Sequence, residues 1–304
     1  TYCMPEKMTF LNKKEVLSFE EMYKLCSGFI QLGVKKIRIT GGEPLVRKNV
    51  MQLFSNLGKF IETKELKELT LTTNGSQLSR YAKELYSYGV RRVNVSIDTL
   101  DPSLFLRLTR RGNLKQVLEG IEAAKQAGLA VKINTVALKD SNEHELLDIL
   151  KWAHNNDCDM TIIETMPLGE IDYDRTEQFL PVSKVKETFE KHFTLSKSSH
   201  YTGGPSRYYN VEETGKKVGF ITPLTHNFCE LCNRVRLTCT GKLYMCLGQD
   251  DSADFREPAK SDNWEQDLKN AILEAISRKP KGHDFIIRRK QKPAVNRHMS
   301  VTGG

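Results

Sequence analysis

The chain has 304 residues, of which 39% are hydrophobic and 28% charged, a composition typical of a globular protein with one large domain or two smaller ones. No apolar run approaches the length of a membrane span. The first residues have neither the basic start nor the apolar core of a secretory signal, so we expect a cytoplasmic protein without a membrane partner. The net charge of +8 suits nucleic acid, an acidic membrane or a phosphorylated small molecule, without choosing among them.

Helix and strand signals alternate along the first two-thirds of the chain. The capping box Ser18-Phe19-Glu20-Glu21 predicts an amphipathic helix that ends near Gly33. Further along, the patterns predict five strands and three helices, the strands over 36–40, 69–73, 92–97, 131–136 and 160–164 and the helices over 79–89, 114–127 and 143–155. Alternation of strands and helices at this spacing predicts an α/β fold with a parallel sheet, either open or closed into a partial barrel.

Polar residues cluster where these strands end, which is where the chemistry of such folds gathers. The strand ends are Thr40-Gly41-Gly42-Glu43-Pro44, Thr72-Thr73-Asn74-Gly75, Ser96-Ile97-Asp98 and Glu164-Thr165-Met166. Two glycines after the first strand would allow a ligand to approach the backbone closely, and Glu43 could accept hydrogen bonds from an ammonium group. An ordinary strand-to-helix turn would have the same sequence.

The alternation fails after about residue 195, and the turn-rich stretch around Gly203-Gly204-Pro205 predicts a boundary there. We therefore divide the chain into a domain of residues 1–195 and a domain of residues 196–304. The second contains a predicted helix over 264–277 and a basic tail.

Four of the seven cysteines fall between positions 229 and 246, a crowding that indicates metal binding rather than disulfides. Cys229, Cys232 and Cys246 have the spacing C-x2-C-x13-C, with Cys239 between them. With Cys239, four thiolates could form a tetrahedral zinc site; without it, three could hold a [4Fe-4S] cluster with one open iron. Spacing alone favours zinc. Cys3, taken alone, is more typical of a buried small hydrophobe.

Two further features could bind a ligand. Arg234 and Arg236 alternate on one face of a predicted strand, and their guanidinium groups suit phosphate oxygens, although a solvated strand face would look the same. The terminal Gly303-Gly304 follows a basic stretch. Such ends usually lack fixed structure, but residues without side chains could also enter a crowded site.

Together these motifs resemble the radical S-adenosylmethionine superfamily and, within it, the GTP 3′,8-cyclase family, which begins molybdenum cofactor biosynthesis. Tyr2-Cys3-Met4-Pro5 is similar to the end of the superfamily motif C-x3-C-x2-C, and Thr40-Gly41-Gly42-Glu43-Pro44 to its methionine-binding strand end. The narrower match is the stretch from Phe228 to Arg236, the stretch from Gly241 to Leu247, and the terminal glycine pair.

The resemblance implies a partial parallel (β/α)6 barrel with a C-terminal domain and two [4Fe-4S] clusters. Cys3 matches a ligand of the first cluster; the family's other two come from a segment upstream of Thr1. The ligands of the second cluster match Cys229, Cys232 and Cys246, and we expect Cys239 to point elsewhere. The family usually carries a small or polar residue at position 239, so zinc stays open in principle.

The family's ligand contacts can be carried over residue by residue. Contacts to S-adenosylmethionine match Tyr2, Gly42, Ser96 and Met166. Contacts to GTP match Arg38, Thr72, Lys132, Arg234 and Arg236. The resemblance also implies that a radical derived from S-adenosylmethionine takes the 3′ hydrogen of GTP, after which ribose C3′ joins C8 of guanine. It further implies that Gly303-Gly304 enters the channel between the clusters.

The implied partners are GTP, S-adenosylmethionine, an electron donor, the next enzyme of molybdopterin synthesis and a second copy of the chain, with no nucleic acid. A zinc-ribbon nucleic-acid binder would explain the cysteines and the charge, but not the Gly-Gly-Glu-Pro strand end. Another radical enzyme with an auxiliary cluster is a second alternative, although such enzymes usually have more C-terminal cysteines.

Overall fold

The computed structural model describes residues 11–166, 168, 175–225, 232–283 and 295–303. These residues form an eight-stranded sheet, a three-stranded sheet and the helices around them. Among them there is no helix whose length and apolar character would let it cross a membrane.

The larger sheet confirms the predicted α/β class. Its strands are β1 (Lys36–Ile39), β2 (Glu68–Thr73), β3 (Arg92–Ser96), β4 (Ala130–Ala137), β5 (Asp159–Glu164), β6 (Leu195–Lys197), β7 (Arg207–Val211) and β8 (Lys216–Ile221). Their order is β1-β2-β3-β4-β5-β8-β7-β6. The first six in this order run parallel, while β7 is antiparallel to β8 and β6 to β7.

Helices precede, connect and follow the strands, and those predicted to end near Gly33 and to span 79–89, 114–127, 143–155 and 264–277 are among them. They are α1 (Phe19–Gln31), α2 (Met51–Glu62), α3 (Leu78–Ser87), α4 (Pro102–Thr109), α5 (Leu114–Gln126), α6 (Leu146–Asn155), α7 (Arg175–Gln178), α8 (Val182–Glu190), α9 (Arg256–Lys260), α10 (Trp264–Ser277) and α11 (Met299–Thr302). The smaller sheet is antiparallel, with β10 (Lys242–Tyr244) between β9 (Arg236–Leu237) and β11 (Ser252–Asp254).

The two faces of the large sheet differ in polarity. On one face Val93 lies between Leu71 and Val131 in the ladder, and these side chains form one apolar core with the buried sides of the helices. On the other face, which we call the inner face, the ladder aligns polar residues in rows such as Thr72, Asn94 and Lys132. The helices therefore cover the apolar face, and the polar residues point to the opposite side.

The sheet curls toward its inner face. The Lys36 ammonium, on edge strand β1, donates to the carbonyl of Thr202, which precedes β7. On a flat sheet β1 and β7 would be six spacings apart, roughly 29 Å, which no side chain spans. The inner face is therefore the inside of a partial barrel.

Helix α1 joins this barrel to the C-terminal elements. Leu25 and Phe29 belong to a second buried cluster with Phe255 and Leu268, while Ile30 belongs to the main core. At Gly28 a Cβ atom would lie 2.7 Å from the Cδ2 atom of Leu268, so the close contact between α1 and α10 depends on glycine. This packing brings β9 and β10 to the β1 side of the barrel.

The large sheet extends past residue 195, since β6, β7 and β8 all belong to it. The division into residues 1–195 and 196–304 stays a prediction, but the sheet is not confined to the first of these units. The Gly203-Gly204-Pro205 turn leads into β7 and lies beside Lys36.

Candidate functional site

Cationic side chains converge on the inner face from separate parts of the chain. Burial, together with Arg92 and Arg234, lowers the pKa of Arg38. Burial also lowers the pKa of Lys132, with Arg92 and Arg38 adding to the effect. At the start of β9, burial beside Arg234 and Arg38 lowers the pKa of Arg236 to about 9, so the guanidinium stays charged at neutral pH. Five like charges thus act on one another in a partly desolvated space.

Glu68 on β2, an acidic neighbour of this group, is already engaged. Its carboxylate lies 2.7 Å from the Lys36 ammonium and 2.5 Å from the Arg92 guanidinium. Burial opposes ionisation of Glu68, but these two cations outweigh it and lower its pKa. Meanwhile Arg38 Nε is buried without a hydrogen-bond partner among the described residues. In the part of the chain that the structure describes, the cations exceed the anionic groups beside them, and a bound polyanion would supply the missing counter-charge.

Thr72 belongs to the same part of the inner face. Its hydroxyl is 3.4 Å from the Asn94 amide, and Asn94 pairs with Lys132 in the next strand. The structure therefore brings the predicted GTP contacts near one another, with Arg38, Thr72 and Lys132 on the inner face and Arg234 and Arg236 approaching it from the C-terminal hairpin.

The glycines after β1 leave open space at the strand ends. A Cβ atom at Gly41 or Gly42 would meet nothing within 4 Å among the described residues. The sequence allowed either a ligand contact or an ordinary turn at Glu43. In the structure its carboxylate accepts from the Leu45 amide (3.0 Å), the Thr73 hydroxyl (2.8 Å) and the Asn74 amide (2.6 Å). Glu43 thus fixes the end of β1 to the end of β2, and burial raises its pKa.

A second polar row lies beside this space. Ser96, Asn134 and Thr161 are aligned on β3, β4 and β5. The buried Asn134 Oδ1 and Thr161 Oγ1 atoms have no hydrogen-bond partner in the part of the chain that is described. Met166 lies just past β5, packed against Leu168 and Val295.

Cys232 lies in a cationic environment. Burial opposes ionisation of its thiol, but the backbone N–H of Arg234, the Arg234 charge and Lys279 outweigh it and lower the pKa of Cys232. The Lys279 ammonium is 4.0 Å from Cys232 Sγ and donates to the Met245 carbonyl at 2.6 Å, next to Cys246. Lys279 therefore links Cys232 to the backbone that precedes Cys246.

Cys239 is separated from this group by the hairpin that joins β9 to β10. In the register Arg236 pairs with Tyr244, so Cys239 lies in the closed turn and Cys246 beyond the open end. Cys239 is exposed, and its carbonyl accepts from the Leu17 amide at 2.8 Å. This geometry argues against a zinc site made of all four cysteines.

The C-terminal tail reaches the end of β1. Arg236 donates to the carbonyls of Thr302, at 3.3 Å, and Gly303. Gly303 has a φ of +74°, and a Cβ atom there would overlap the Thr40 side chain. The tail therefore lies between an arginine of the cation group and Thr40 at the end of β1. Tyr2, Cys3, Cys229 and Gly304 lie outside the described residues.

Sequence reasoning missed several inner-face residues, among them Lys36, Glu68, Arg92 and Tyr208. A signal was available for Arg92, because Arg92-Val93-Asn94-Val95-Ser96 alternates polar and apolar residues and places Arg92 on the same face as Ser96. Tyr208 had no such signal, since β7 follows the predicted boundary.

Two family models match the chain, the radical SAM superfamily over residues 1–153 and Molybdenum Cofactor Synthesis C over residues 158–285. Relatives named GTP 3′,8-cyclase match the whole chain. The one from Mesorhizobium japonicum is 60% identical and is covered over 92% of its length; the one from Rhizobium etli is 62% identical and covered over 87%.

Solved structures with little sequence identity share the fold. SuiB from Streptococcus suis, solved with S-adenosylmethionine bound, superposes with a TM-score of 0.59 at 13% identity. The match covers 87% of this chain and 62% of that protein. At this identity the likeness concerns the fold alone.

Proposed function

Because the chain belongs to the radical S-adenosylmethionine superfamily and, within it, to the GTP 3′,8-cyclase family, we propose that it converts GTP to (8S)-3′,8-cyclo-7,8-dihydroguanosine 5′-triphosphate, the first step of molybdenum cofactor biosynthesis. The observation that carries the proposal is the group of cations on the inner face. Arg38, Lys132 and Arg236 are held close together, and among the described residues these cations outnumber the acidic groups that contact them, an arrangement that suits a triphosphate.

In this proposal the chain's own residues bind and orient GTP. Arg236 and Arg234 contact the triphosphate from the C-terminal hairpin, while Arg38 and Lys132 contact it from the barrel strands. Arg38 Nε, buried without a partner among the described residues, gains an acceptor when the ligand binds. Thr72 borders the same row and completes the polar wall.

S-adenosylmethionine and its cluster fit the strand-end region. The space in front of Gly42 admits a ligand close to the backbone. Asn134 Oδ1, beside Ser96 and without a partner among the described residues, can accept a hydrogen bond from this ligand. Ser96 and Met166 border the ligand in the proposal, with Tyr2 and Cys3 added from outside the described residues. When bound, S-adenosylmethionine and its [4Fe-4S] cluster supply the organic radical that takes hydrogen from GTP.

A second [4Fe-4S] cluster is part of the proposal, with Cys229, Cys232 and Cys246 as ligands. The lowered pKa of Cys232 supports this, since metal ligation requires the thiolate. Keeping thiolates available also requires a reducing cytosol. An electron donor, the next enzyme of molybdopterin synthesis and a second copy of the chain complete the proposed partners.

The test uses the full-length protein, reconstituted with iron and sulfide without oxygen and supplied with GTP, S-adenosylmethionine and a reductant. We expect the cyclised nucleotide by mass spectrometry, and its loss in Lys132→Met but not in Lys197→Met, a control at an exposed position of β6. Cleavage of S-adenosylmethionine without consumption of GTP would indicate another radical enzyme. If metal analysis found bound zinc in place of iron and sulfide, the result would favour the zinc-ribbon alternative.

A further inference from the structure

Tyr208, on the antiparallel strand β7, reaches the heart of the inner face. Its side chain is 4% exposed and belongs to the opposite face from Tyr209, whose ring packs against Phe220. It pairs with Gly219, where a Cβ atom would lie 2.9 Å from the Tyr208 ring. The absence of a side chain at Gly219 thus leaves room for the tyrosine to lie over the sheet.

The Tyr208 hydroxyl contacts Lys132 from across the barrel. The Lys132 ammonium donates to this oxygen at 3.0 Å, although β7 and β4 are three strand spacings apart. Thr202 approaches the same hydroxyl at 3.4 Å. A side chain on β7, the strand next to edge strand β6, therefore holds the end of the Lys132 side chain, which comes from the central strand β4.

The Lys132 ammonium needs a hydrogen-bond acceptor that holds it on the inner face. The residue is 7% exposed, and Arg38 and Arg92 repel its charge. Its flexible four-carbon stem would otherwise let the ammonium turn away from these cations. Among the described residues, Tyr208 is the acceptor for which a hydrogen bond to this ammonium is resolved.

We propose that Tyr208 is a positioning residue: its hydroxyl holds the Lys132 ammonium on the inner face, in the orientation that receives the triphosphate of GTP. This rests on the proposed function, in which Lys132 binds GTP. Tyr208 acts through Lys132, so its contribution disappears when Lys132 is replaced.

The experiment compares wild type, Tyr208→Phe, Lys132→Met and the double variant, all full-length and cluster-loaded. Tyr209→Phe is the matched control, because it removes the same group from the neighbouring residue on the opposite face. We expect Tyr208→Phe to raise KM for GTP and weaken GTP binding about tenfold, the scale of one hydrogen bond to a charged group, with KM for S-adenosylmethionine unchanged. The double variant should bind GTP no more weakly than Lys132→Met alone.

Each outcome either supports or overturns the positioning role of Tyr208. Unchanged GTP affinity in Tyr208→Phe, or a double variant that combines both losses additively, overturns the positioning role while the proposed function stands. A wild-type protein that neither binds nor converts GTP overturns the proposed function and this role with it. A general folding defect would lower S-adenosylmethionine affinity and thermal stability as well, and that result also counts against positioning.

Discussion

Arg236 connects the parts of the candidate site at the scale of single residues. It lies at the start of β9, its charge acts on Arg234 and Arg38, and it donates to the tail carbonyls of Thr302 and Gly303. A partly buried guanidinium with neutral acceptors and cationic neighbours has little electrostatic compensation among the described residues. Its position is explained if an anion binds there.

Replacing Arg236 with alanine should therefore weaken GTP binding. Loss of a charge-assisted contact costs about 1.5–3 kcal/mol, or about ten- to a hundredfold in affinity. Calorimetry with GTP and, separately, with S-adenosylmethionine measures the effect, and S-adenosylmethionine affinity should change little. Arg207→Ala, at an exposed position of β7, is the control. Equal GTP affinity in the Arg236 variant and wild type would contradict the assignment.

Gly303→Ala should displace the tail from the end of β1. The residue has a positive φ, and an added Cβ atom would overlap Thr40, so both the backbone and the contact oppose alanine. Because near-attack geometry tolerates little error, we expect turnover of GTP to fall tenfold or more, as an order of magnitude, with affinity largely kept. Steady-state rates and GTP binding measured together test this. Normal turnover in the variant would show that the tail contact has no part in the reaction.

Single residues could be predicted where a motif fixes them. The resemblance selected Arg38, Lys132, Arg234 and Arg236, and the structure groups these charges. Tyr208 and Glu68 could not be found this way, because their places depend on which strands neighbour each other across the barrel. The sequence also could not show that Thr73 and Asn74, at the end of β2, donate to the Glu43 carboxylate, because these contacts depend on the pairing of β1 with β2.

At the scale of elements, the predicted helices and strands were confirmed where their periodicity was strong. Helix α1, strands β1 to β5 and helix α10 agree with prediction to within a few residues. Strands β6 to β8 were missed because they form an antiparallel extension with mixed polar and apolar residues, such as Arg207 to Val211. Their stability comes from pairing with the sheet rather than from a local pattern.

The β7–β8 hairpin is attached to α6 through a buried histidine. His154 lies 2.8 Å from the Thr214 hydroxyl and 3.4 Å from the Lys217 carbonyl. Burial lowers the pKa of His154 below its usual 6.5. The folded protein therefore binds a proton here less readily than the unfolded chain does.

This pKa shift makes a prediction about stability. As pH falls below about 6.5, the unfolded chain gains the proton first, so folding should weaken progressively until the folded pKa is passed. His154→Gln should reduce this loss of stability. The measurement is denaturant unfolding of both proteins between pH 7 and pH 5, at constant ionic strength. If the free energy of unfolding fell with pH to the same extent in wild type and variant, the result would contradict a role for His154.

At the scale of the whole molecule, the fold concentrates positive charge inside a curled sheet. The chain has 46 basic and 38 acidic residues. Part of this excess lies on the inner face, where Glu68 is shared between Lys36 and Arg92. The like charges repel one another when no ligand is bound. We therefore expect residues that favour ligand binding at this site to lower the stability of the ligand-free protein.

Lys132→Met tests that opposition. The substitution removes a buried charge that Arg38 and Arg92 repel, so the ligand-free variant should be at least as stable as wild type. With GTP at about a hundred times its Kd, wild type should gain about 2.7 kcal/mol, and inorganic triphosphate should reproduce part of this gain, whereas guanosine should not. The variant should lose most of the gain, while Lys197→Met should keep it. Thermal unfolding with each ligand provides the measurement. A strongly destabilised ligand-free variant, or one that GTP stabilises as much as wild type, would show that Lys132 serves the fold rather than the triphosphate.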